Sequence, residues 1–304
     1  MELGASKLQT KVSYVLLAYN QIAFIEDAIL SALAQSYENI EFILSDDFSL
    51  DGTWEKMQKV AGSSKRNVFV NQMPHNVGLV SHLNYCLSIC TGDIIVLAAG
   101  DDIAMVDRVQ KSVVCLTENS ATFSVTFSDT TIDAEGCVLD TSEPGPAAGY
   151  YALEAALASP NILFSGASRA MRREVFDVFG PLLDECQTED TPFFLRALYL
   201  GGCTLSNDAG IFYRKTEHSL SSAKGMKTQN PLNLERQYEA DLLVARAKGL
   251  VSSSEEKLIR KWMDFRNIQK RYSQTRGAFK RTIYLFLSAL RNSHFRRYII
   301  SKVF

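Results

Sequence analysis

The chain has 304 residues, of which 46% are hydrophobic and 22% charged, and its formal net charge is −2. This composition is that of a folded protein with a sizeable core, and it excludes an intrinsically disordered or collagen-like chain. No apolar run reaches the roughly 18–20 residues that a membrane-spanning helix requires, and the N-terminal sequence lacks the apolar stretch of a signal peptide, so we expect no secretion by that route.

The charge is distributed unevenly along the chain. Residues 265–304 carry ten basic residues and no acid, so the preceding 264 residues carry a net charge of −12. A basic tail on an acidic body predicts a polyanionic partner for the tail.

The six cysteines are scattered and form no Cys-x-x-Cys pair, which indicates free buried thiols in a reducing compartment and no zinc site.

Strands and helices alternate through the first 130 residues. The predicted strands are Val12–Ala18, Ile40–Ser45, Asn67–Asn71, Ile94–Ala99 and Thr122–Ser128. Apolar residues recur at helical spacing between them, as in Leu79, Leu83 and Leu87. This alternation predicts βαβ units and a mostly parallel, Rossmann-like sheet flanked by helices. No Gly-x-Gly-x-x-Gly follows the first strand and no P-loop motif is present, which disfavours a dinucleotide-binding fold and excludes a P-loop NTPase.

Polar residues follow three of these strands. Tyr19 follows the first strand, Asp47 the second, and Gly100 with the adjacent carboxylates Asp101 and Asp102 the fourth. The carboxyl ends of parallel strands meet at one edge, where such sheets bind ligands. Two adjacent acids at the end of a buried strand are tolerable if a divalent cation lies between them, and oxygen ligands suit Mg²⁺ or Mn²⁺. For each of these residues, an ordinary turn or packing role is the alternative.

The later part of the chain predicts shorter elements. Residues 142–149 are rich in breakers and form a loop. Leu153–Ala158 and Arg172–Phe179 are predicted as helices. Glu189 and Asp190 open another helix, with Pro192 in its first turn and Gly201 at its end.

At this point the chain resembles a family 2 glycosyltransferase with the GT-A nucleotide-diphospho-sugar fold. The matching elements are Val12–Asn20, Ser36–Glu41 followed by Asp46-Asp47-x-Ser49-x-Asp51-Gly52-Thr53, Asn76-x-Gly78 with Asn84 and Gly92–Asp93, Gly100–Asp102, Glu189–Asp190, and Tyr213–Arg214 with His218-x-x-Ser221. They run in the family's order over about residues 12–222. The chain departs from the family's pattern at Leu17–Ala18, at Leu83, and at Ala99, which stands where the first acid of an Asp-x-Asp element would be.

The resemblance implies a donor site for a nucleotide-sugar. Tyr19 would stack on the nucleobase, and Asp47 would accept a hydrogen bond from a base N–H, which favours uracil or thymine. Asn84 and Arg214 are expected to contact the donor as well, Arg214 through the diphosphate. An ion pair between Arg214 and a carboxylate of the protein is the alternative. Asp46 is expected to be structural.

The resemblance also implies a cation and a general base. Asp102 would hold Mn²⁺ or Mg²⁺, Asp101 would reach the metal or the ribose, and His218 is a third candidate ligand, with a solvated loop histidine as the alternative. Asp190 would remove the acceptor's proton in an inverting displacement. A first-turn acid that only stabilises the helix dipole is the other interpretation of Asp190.

These expectations combine into one interpretation. Residues 1–225 form a GT-A catalytic domain, with a nucleotide-binding half at about 10–130 and an acceptor half at about 150–222, and residues 226–304 form a helical, basic C-terminal extension. The protein transfers a sugar from UDP or dTDP to a glycan or polyprenol-linked acceptor, in cell-surface polysaccharide synthesis. The tail attaches it peripherally to the anionic, cytoplasmic face of the membrane, and no nucleic acid is expected. The alternatives are a sugar nucleotidyltransferase and an inactive binding protein.

Overall fold

The computed structural model describes residues 10–139, 146–158, 165–215, 230–274 and 292. Its centre is one nine-stranded sheet. The candidate metal ligand His218, residues 142–145 of the predicted loop at 142–149 and nearly all of the basic tail beyond Gln274 lie outside the described residues.

The strands are β1 Val12–Ala18, β2 Ile40–Asp46, β3 Val68–Gln72, β4 Ile94–Ala99, β5 Ile103–Ala104, β6 Thr122–Ile132, β7 Gly149–Ala152, β8 Ala170–Arg172 and β9 Gly202–Arg214. The helices are α1 Ile25–Leu33, α2 Thr53–Gly62, α3 Leu79–Ile89, α4 Arg108–Glu118, α5 Leu153–Ala158, α6 Glu174–Asp177, α7 Asp190–Leu200, α8 Pro231–Ala247 and α9 Ser253–Gln274.

The strand order in the sheet is β3-β2-β1-β4-β8-β6-β9-β5, and β7 also pairs with β9. The first four long strands are all parallel, as predicted. β1 lies between β2 and β4, and Val12 is in register with both Ile40 and Ile94. β3 then extends the sheet beside β2. Helices connect these strands and cover both faces, which explains why the interior strands β1 and β4 are nearly continuous apolar runs. The α/β fold class is therefore confirmed. The predicted strands and helices through residue 130 are present in the predicted order, and the structure adds the two-residue strand β5, which was not predicted.

The second half of the sheet is mixed, so "mostly parallel" is correct only for the first half. β8 runs antiparallel to both β4 and β6, and β9 is parallel to β6 but antiparallel to β5 and β7. β8 was not predicted, and Arg172, which was predicted to begin a helix, is its last residue; the helix begins at Glu174. The strand has only three residues, which is too short for its period to be recognised.

Each face of the sheet packs on its own hydrophobic core. Along β1, Tyr14 and Leu16 belong to a core with α1, α2 and α4, whereas Val15 belongs to one with α3, α7, α8 and α9. The period of two in side-chain direction divides the strand between the two cores. Each core consists of close-packed side chains from both the sheet and its helices.

The C-terminal helices are part of the second core. Tyr238 on α8 and Trp262 on α9 are buried with rings 5.8 Å apart. The predicted boundary at 225/226 stays a prediction, and the two helices beyond it share a core with the sheet. None of the helices that the structure describes is long and apolar enough to cross a membrane.

A buried ion pair connects α8 to α7. Arg196 donates to both carboxylate oxygens of Asp241, at 3.0 and 2.8 Å, and to the Gly180 carbonyl at 2.7 Å. Gln237 donates to the same carboxylate. Breaking a buried pair by removing one partner leaves an uncompensated buried charge, which is strongly destabilising.

We therefore expect Arg196→Met to lower the free energy of unfolding by about 3–5 kcal/mol. The control is Arg260→Met. Arg260 pairs with Glu239 and Glu256, but its side chain is 43% exposed, so we expect a change of about 1 kcal/mol or less. Urea denaturation measures both variants. Equal destabilisation by the two substitutions would contradict the assignment of Arg196 as the anchor of α8.

Candidate active site

Three loops leave neighbouring strands at the same level of the sheet. Ala18 is in register with Asp46, and Leu17 with Ala99. The amide of Asp47 donates to the Ala18 carbonyl, and that of Gly100 to the Leu17 carbonyl, both at 2.9 Å. Because paired strands are about 4.8 Å apart, the residues that follow them share one edge of the sheet. The structure thus brings together Tyr19, Asp47 and the Asp101–Asp102 pair at the edge where the sequence predicted them.

The loops after β1 and β2 hold each other in strained conformations. Asn20 and Phe48 have φ values of 52° and 62°, which non-glycine residues rarely adopt. The Asn20 amide donates to Ser49 Oγ at 2.7 Å, and the Asn20 side chain accepts from the Leu50 amide at 3.1 Å. The neighbouring Tyr19 side chain is left 49% exposed, so its ring is available to a ligand.

The two acids after β2 have separate partners. Asp46 is buried and accepts from the Ser49 amide and from Gln72, in keeping with the structural role predicted for it. Asp47 accepts from the backbone amides of Val77 and Gly78, both at 2.9 Å. These bonds tie the β2 loop to the start of α3. Asp47 is buried, and both of its carboxylate oxygens accept these amide bonds, so the base contact predicted for it stays a prediction.

Asp101 and Asp102 are crowded and desolvated. Burial raises the pKa of Asp101, and burial together with the neighbouring charge of Asp101 raises the pKa of Asp102 to about 8. Asp102 Oδ1 also accepts from the Arg214 backbone amide at 2.9 Å. Gly100 permits this turn, since a Cβ there would lie 2.5 Å from Gln21 Oε1. The protein therefore keeps two acids together at an electrostatic cost.

A divalent cation would offset that cost, and the donor set fits one. Within residues 10–139, 146–158, 165–215, 230–274 and 292, no three His, Cys, Asp or Glu side chains form a metal-binding group. Asp101 and Asp102 therefore supply at most two protein ligands from this region. Mg²⁺-type sites commonly use one or two carboxylates and complete the shell with water and substrate phosphates.

Arg214 is bonded to the backbone of the turn that carries Asp101 and Asp102. Its guanidinium donates to the carbonyls of Asp101, Asp133 and Ala134 at 2.8–3.0 Å, and it lies 4.7 Å from the centre of the Phe24 ring. The side chain is buried. A diphosphate contact by Arg214 stays a prediction, and the observed contacts favour a structural role, holding the Asp101–Asp102 turn.

Asn84 is likewise engaged inside the protein. Its amide donates to the Leu182 carbonyl at 2.7 Å and accepts from the Leu182 amide at 2.9 Å. This reciprocal pair fastens α3 to the segment before α7. A donor contact by Asn84 stays a prediction, and the geometry gives its polar group a structural partner.

Glu189 and Asp190 lie at the start of α7, as predicted. The Asp190 side chain is 48% exposed, and its Oδ1 lies 3.9 Å from Nη1 of Arg169, which is 1% exposed. Burial and the charge of Asp190 raise the pKa of Glu189 to about 8, whereas the Arg169 charge opposes the rise. Glu189 therefore loses its proton less readily than an isolated glutamate does.

Two charged residues that were not predicted as site residues, Arg108 and Asp129, lie near this acid pair. Arg108 donates to the carbonyls of Leu97, Ala167 and Arg169. Asp129 lies near the C-terminal end of β6. Burial raises the pKa of Asp129, and the charge of Asp190 contributes to the same rise. These residues occur singly in the sequence with no motif, so no local signal distinguishes them from surface charges.

The family model "Glycosyl transferase family 2" matches residues 13–180. EpsE of Bacillus subtilis, a protein named for glycosyltransferase activity, is 39% identical over 106 residues, which are 35% of this chain and 38% of EpsE. WfaP of Escherichia coli, named a UDP-Glc:alpha-D-GlcNAc-diphosphoundecaprenol beta-1,3-glucosyltransferase, is 27% identical over 47% of this chain and 55% of WfaP. The matched segment thus spans little more than a third of EpsE and about half of WfaP.

Solved structures of similar fold cover more of the chain. Staphylococcus aureus TarS 1–349 in complex with UDP-GlcNAc matches with a TM-score of 0.56 and 16% identity, over 86% of this chain and 81% of that one. The mannosyltransferase PcManGT of Pyrobaculum calidifontis, in complex with GDP-Man and Mn²⁺, matches with a TM-score of 0.61 and 16% identity, over 92% of this chain and 75% of that one. At these identities the likeness establishes the fold, which is the GT-A fold.

The buried histidine behind Asp47 generates a prediction about pH. His82 is bonded to Ser45 Oγ at 2.7 Å, and burial lowers its pKa, against the opposing charges of Asp47 and Asp46. In the unfolded chain a histidine has a pKa of about 6.5. The unfolded state therefore binds the proton first, and folding stability falls as the pH drops below about 6.5 towards the folded pKa.

We expect His82→Gln to flatten the dependence of the melting temperature on pH between about 7 and 5. The control is His75→Gln, because His75 is exposed in the loop before α3 and should leave the wild-type slope intact. Thermal melts across this pH range measure both. An unchanged slope in His82→Gln would contradict the assignment of His82 as a buried neutral group.

Proposed function

Because the chain belongs to glycosyltransferase family 2, whose family model matches more than half of it, we propose that it is an inverting, metal-dependent glycosyltransferase. The observation that carries the proposal is the meeting of an exposed aromatic ring, Tyr19, with three carboxylates, Asp47, Asp101 and Asp102, at adjacent strand ends. An aromatic face suits a nucleobase, and a pair of acids suits a cation that carries a diphosphate.

The proposed donor is a sugar linked to UDP or dTDP. Tyr19 stacks on the base, and Asp47 accepts the N–H of uracil or thymine while its other contacts hold the loop at Val77 and Gly78. Two comparisons support a uridine donor: TarS was solved in complex with UDP-GlcNAc, and the name of WfaP specifies UDP-Glc. PcManGT, by contrast, was solved with GDP-Man, so the fold alone does not select the base.

Asp102 and Asp101 are proposed to hold Mn²⁺ or Mg²⁺, with His218 as a further candidate ligand. Their crowding and raised pKa values support this role, because a cation removes the cost of keeping both acids charged. When bound, such a cation neutralises charge on the departing nucleoside diphosphate. Ala99 occupies the position of an expected first acid, so the protein's share of the ligands falls mainly on Asp102.

Asp190 is proposed as the general base. The acceptor hydroxyl oxygen forms a bond to the anomeric carbon as the bond from that carbon to the diphosphate oxygen breaks, and Asp190 takes the hydroxyl proton. Direct displacement inverts the anomeric configuration. The half-exposed Asp190 carboxylate and its place at the N-terminus of α7 support this role, since the helix dipole favours an anion there.

The proposed acceptor is a glycan or a polyprenol-linked glycan of a cell-surface polysaccharide. The name of WfaP, which specifies a diphosphoundecaprenol acceptor, supports it. The ten basic residues after Asp264 would attach the enzyme to the anionic cytoplasmic face of the membrane, near such an acceptor.

A thermal-shift panel tests the donor site. We expect UDP with Mn²⁺ to raise the melting temperature by several degrees, since ligand at about 100 times its Kd contributes about 2.7 kcal/mol. Asp102→Asn should remove the Mn²⁺-dependent part of the shift. Asp190→Asn, the matched control, should keep it, because Asp190 belongs to the acceptor side. No shift with any nucleoside diphosphate, or a full Mn²⁺-dependent shift in Asp102→Asn, would contradict the proposal.

A further inference from the structure

Asp190 lies against a loop that leaves room for it only because Gly166 has no side chain. A Cβ on Gly166 would lie 1.6 Å from Asp190 Oδ1 and 3.3 Å from Glu189 Oε1. The Gly166 backbone does not adopt a left-handed conformation, so an alanine there would meet no intrinsic backbone strain. The absence of a side chain at this position therefore serves the close approach of the acid pair, and not the turn itself.

The loop that carries Gly166 is fixed to the sheet. We call residues 165–169 the acid-pair loop. Ser168 Oγ donates to the Phe127 carbonyl at 2.6 Å and accepts from the Phe127 amide at 3.2 Å. The Arg169 carbonyl accepts from the Leu97 amide at 3.1 Å and from Arg108 at 3.3 Å. A loop bonded to both β6 and β4 cannot easily retreat from an added methyl group.

A buried positive charge extends from the end of this loop. Arg169 is 1% exposed, and its Nη1 lies 3.9 Å from Asp190 Oδ1, whereas the Asp190 side chain is 48% exposed. The cation thus approaches the carboxylate from the protein interior. The solvent side of the same carboxylate is left open to an incoming hydroxyl group.

We propose that Gly166 and Arg169 are positioning residues for the general base: Gly166 fixes where the Asp190 carboxylate lies, and Arg169 sets the charge of the Glu189–Asp190 pair. This inference rests on the role of Asp190 in the proposed function. It identifies two residues that act on the base through Asp190 and do not themselves contact the sugar.

The arrangement has a clear electrostatic consequence. Arg169 lies on the interior side of the acid pair, 3.9 Å from Asp190, and its positive charge opposes the rise in the pKa of Glu189. The neighbouring groups are Asp129 on β6, whose pKa is raised partly by Asp190, and Arg108 on α4, which lowers that pKa. Cys186 adds a neutral thiol on the α7 side, since burial raises its pKa to about 11. Among these groups Arg169 is the cation in ion-pair range of Asp190.

Two sets of variants separate position from charge. Gly166→Ala adds one methyl group against Asp190, and Gly62→Ala is its control, because a Cβ on Gly62 would meet nothing within 4 Å. Arg169→Met removes the charge, and Arg169→Lys retains it. Far-UV circular dichroism and the UDP–Mn²⁺ thermal shift establish that each variant is folded with an intact donor site.

The first measurement needs no turnover. Side-chain carboxyl ¹³C resonances, assigned with Glu189→Gln and Asp190→Asn, report the titration of the pair in full-length protein. In Arg169→Met the Glu189 titration should move up by about one pH unit, because a cation that favours the charged form is lost, and Arg169→Lys should restore most of it. Gly166→Ala should displace the Asp190 resonance, and Gly62→Ala should not. Unmoved titrations in Arg169→Met, or an unmoved Asp190 resonance in Gly166→Ala, would overturn the proposal.

The second measurement is donor turnover, assayed as UDP release from UDP-glucose, UDP-galactose and UDP-N-acetylglucosamine. Gly166→Ala should lower kcat by about 10²-fold, because small misplacements of reacting groups cost that much, with KM for the donor unchanged. In the dependence of kcat on pH, the fall in kcat at low pH should shift in Arg169→Met and return to its wild-type position in Arg169→Lys. Wild-type kcat in Gly166→Ala would overturn the positioning role. If the carboxyl resonances respond as expected but no nucleoside diphosphate shifts the melting temperature of the wild-type protein, the proposed donor site fails and the positioning of the acid pair stands.

Discussion

The parallel pairing of β2, β1 and β4 in one register is the constraint on which the candidate site depends. Ala18 pairs with Asp46 and Leu17 with Ala99, so three loops leave the sheet side by side. A slip of one residue would turn every side chain of a strand to the opposite face, which the two cores flanking the sheet do not permit. Hydrophobic burial on both faces therefore determines where Tyr19 and Asp47 lie.

The second theme is the handling of buried charge. The structure places acids in pairs, Asp101 with Asp102 and Glu189 with Asp190, and each pair includes a carboxyl group whose pKa is raised to about 8. Arg169 offsets the charge of the second pair from within the protein. The first pair has its backbone held by Arg214, but in the part of the chain that the structure describes no side-chain cation forms an ion pair with it at 4 Å or less. The Asp101–Asp102 pair is therefore suited to an added cation, whereas the charge of the Glu189–Asp190 pair is already offset by Arg169.

The sequence predicted the structure well where hydrophobic periodicity, or the position of a residue directly after a strand, could be used. Continuous apolar strands and helical spacing predicted the parallel half of the sheet, and the residue that follows each strand predicted the shared edge. The short antiparallel β8 escaped detection because three residues carry no period. The interior partners escaped for a different reason: the importance of Gly166 and Arg169 arises from contacts with Asp190, which follows them by more than twenty residues and is brought near only by the fold. The partners of Asn84 and Arg214 are long-range in the same way.

We propose that the edge of β2, β1 and β4 binds a nucleoside diphosphate together with a divalent cation. A crystal structure of the protein with UDP and Mn²⁺, with data collected at the manganese absorption edge, tests it most directly. The account predicts an anomalous peak about 2.2 Å from a carboxylate oxygen of Asp102, as for oxygen ligands of such cations, and a uracil ring on the face of Tyr19 within hydrogen-bonding distance of Asp47. Manganese bound away from Asp102, or the uracil bound at another face of the sheet, would contradict it.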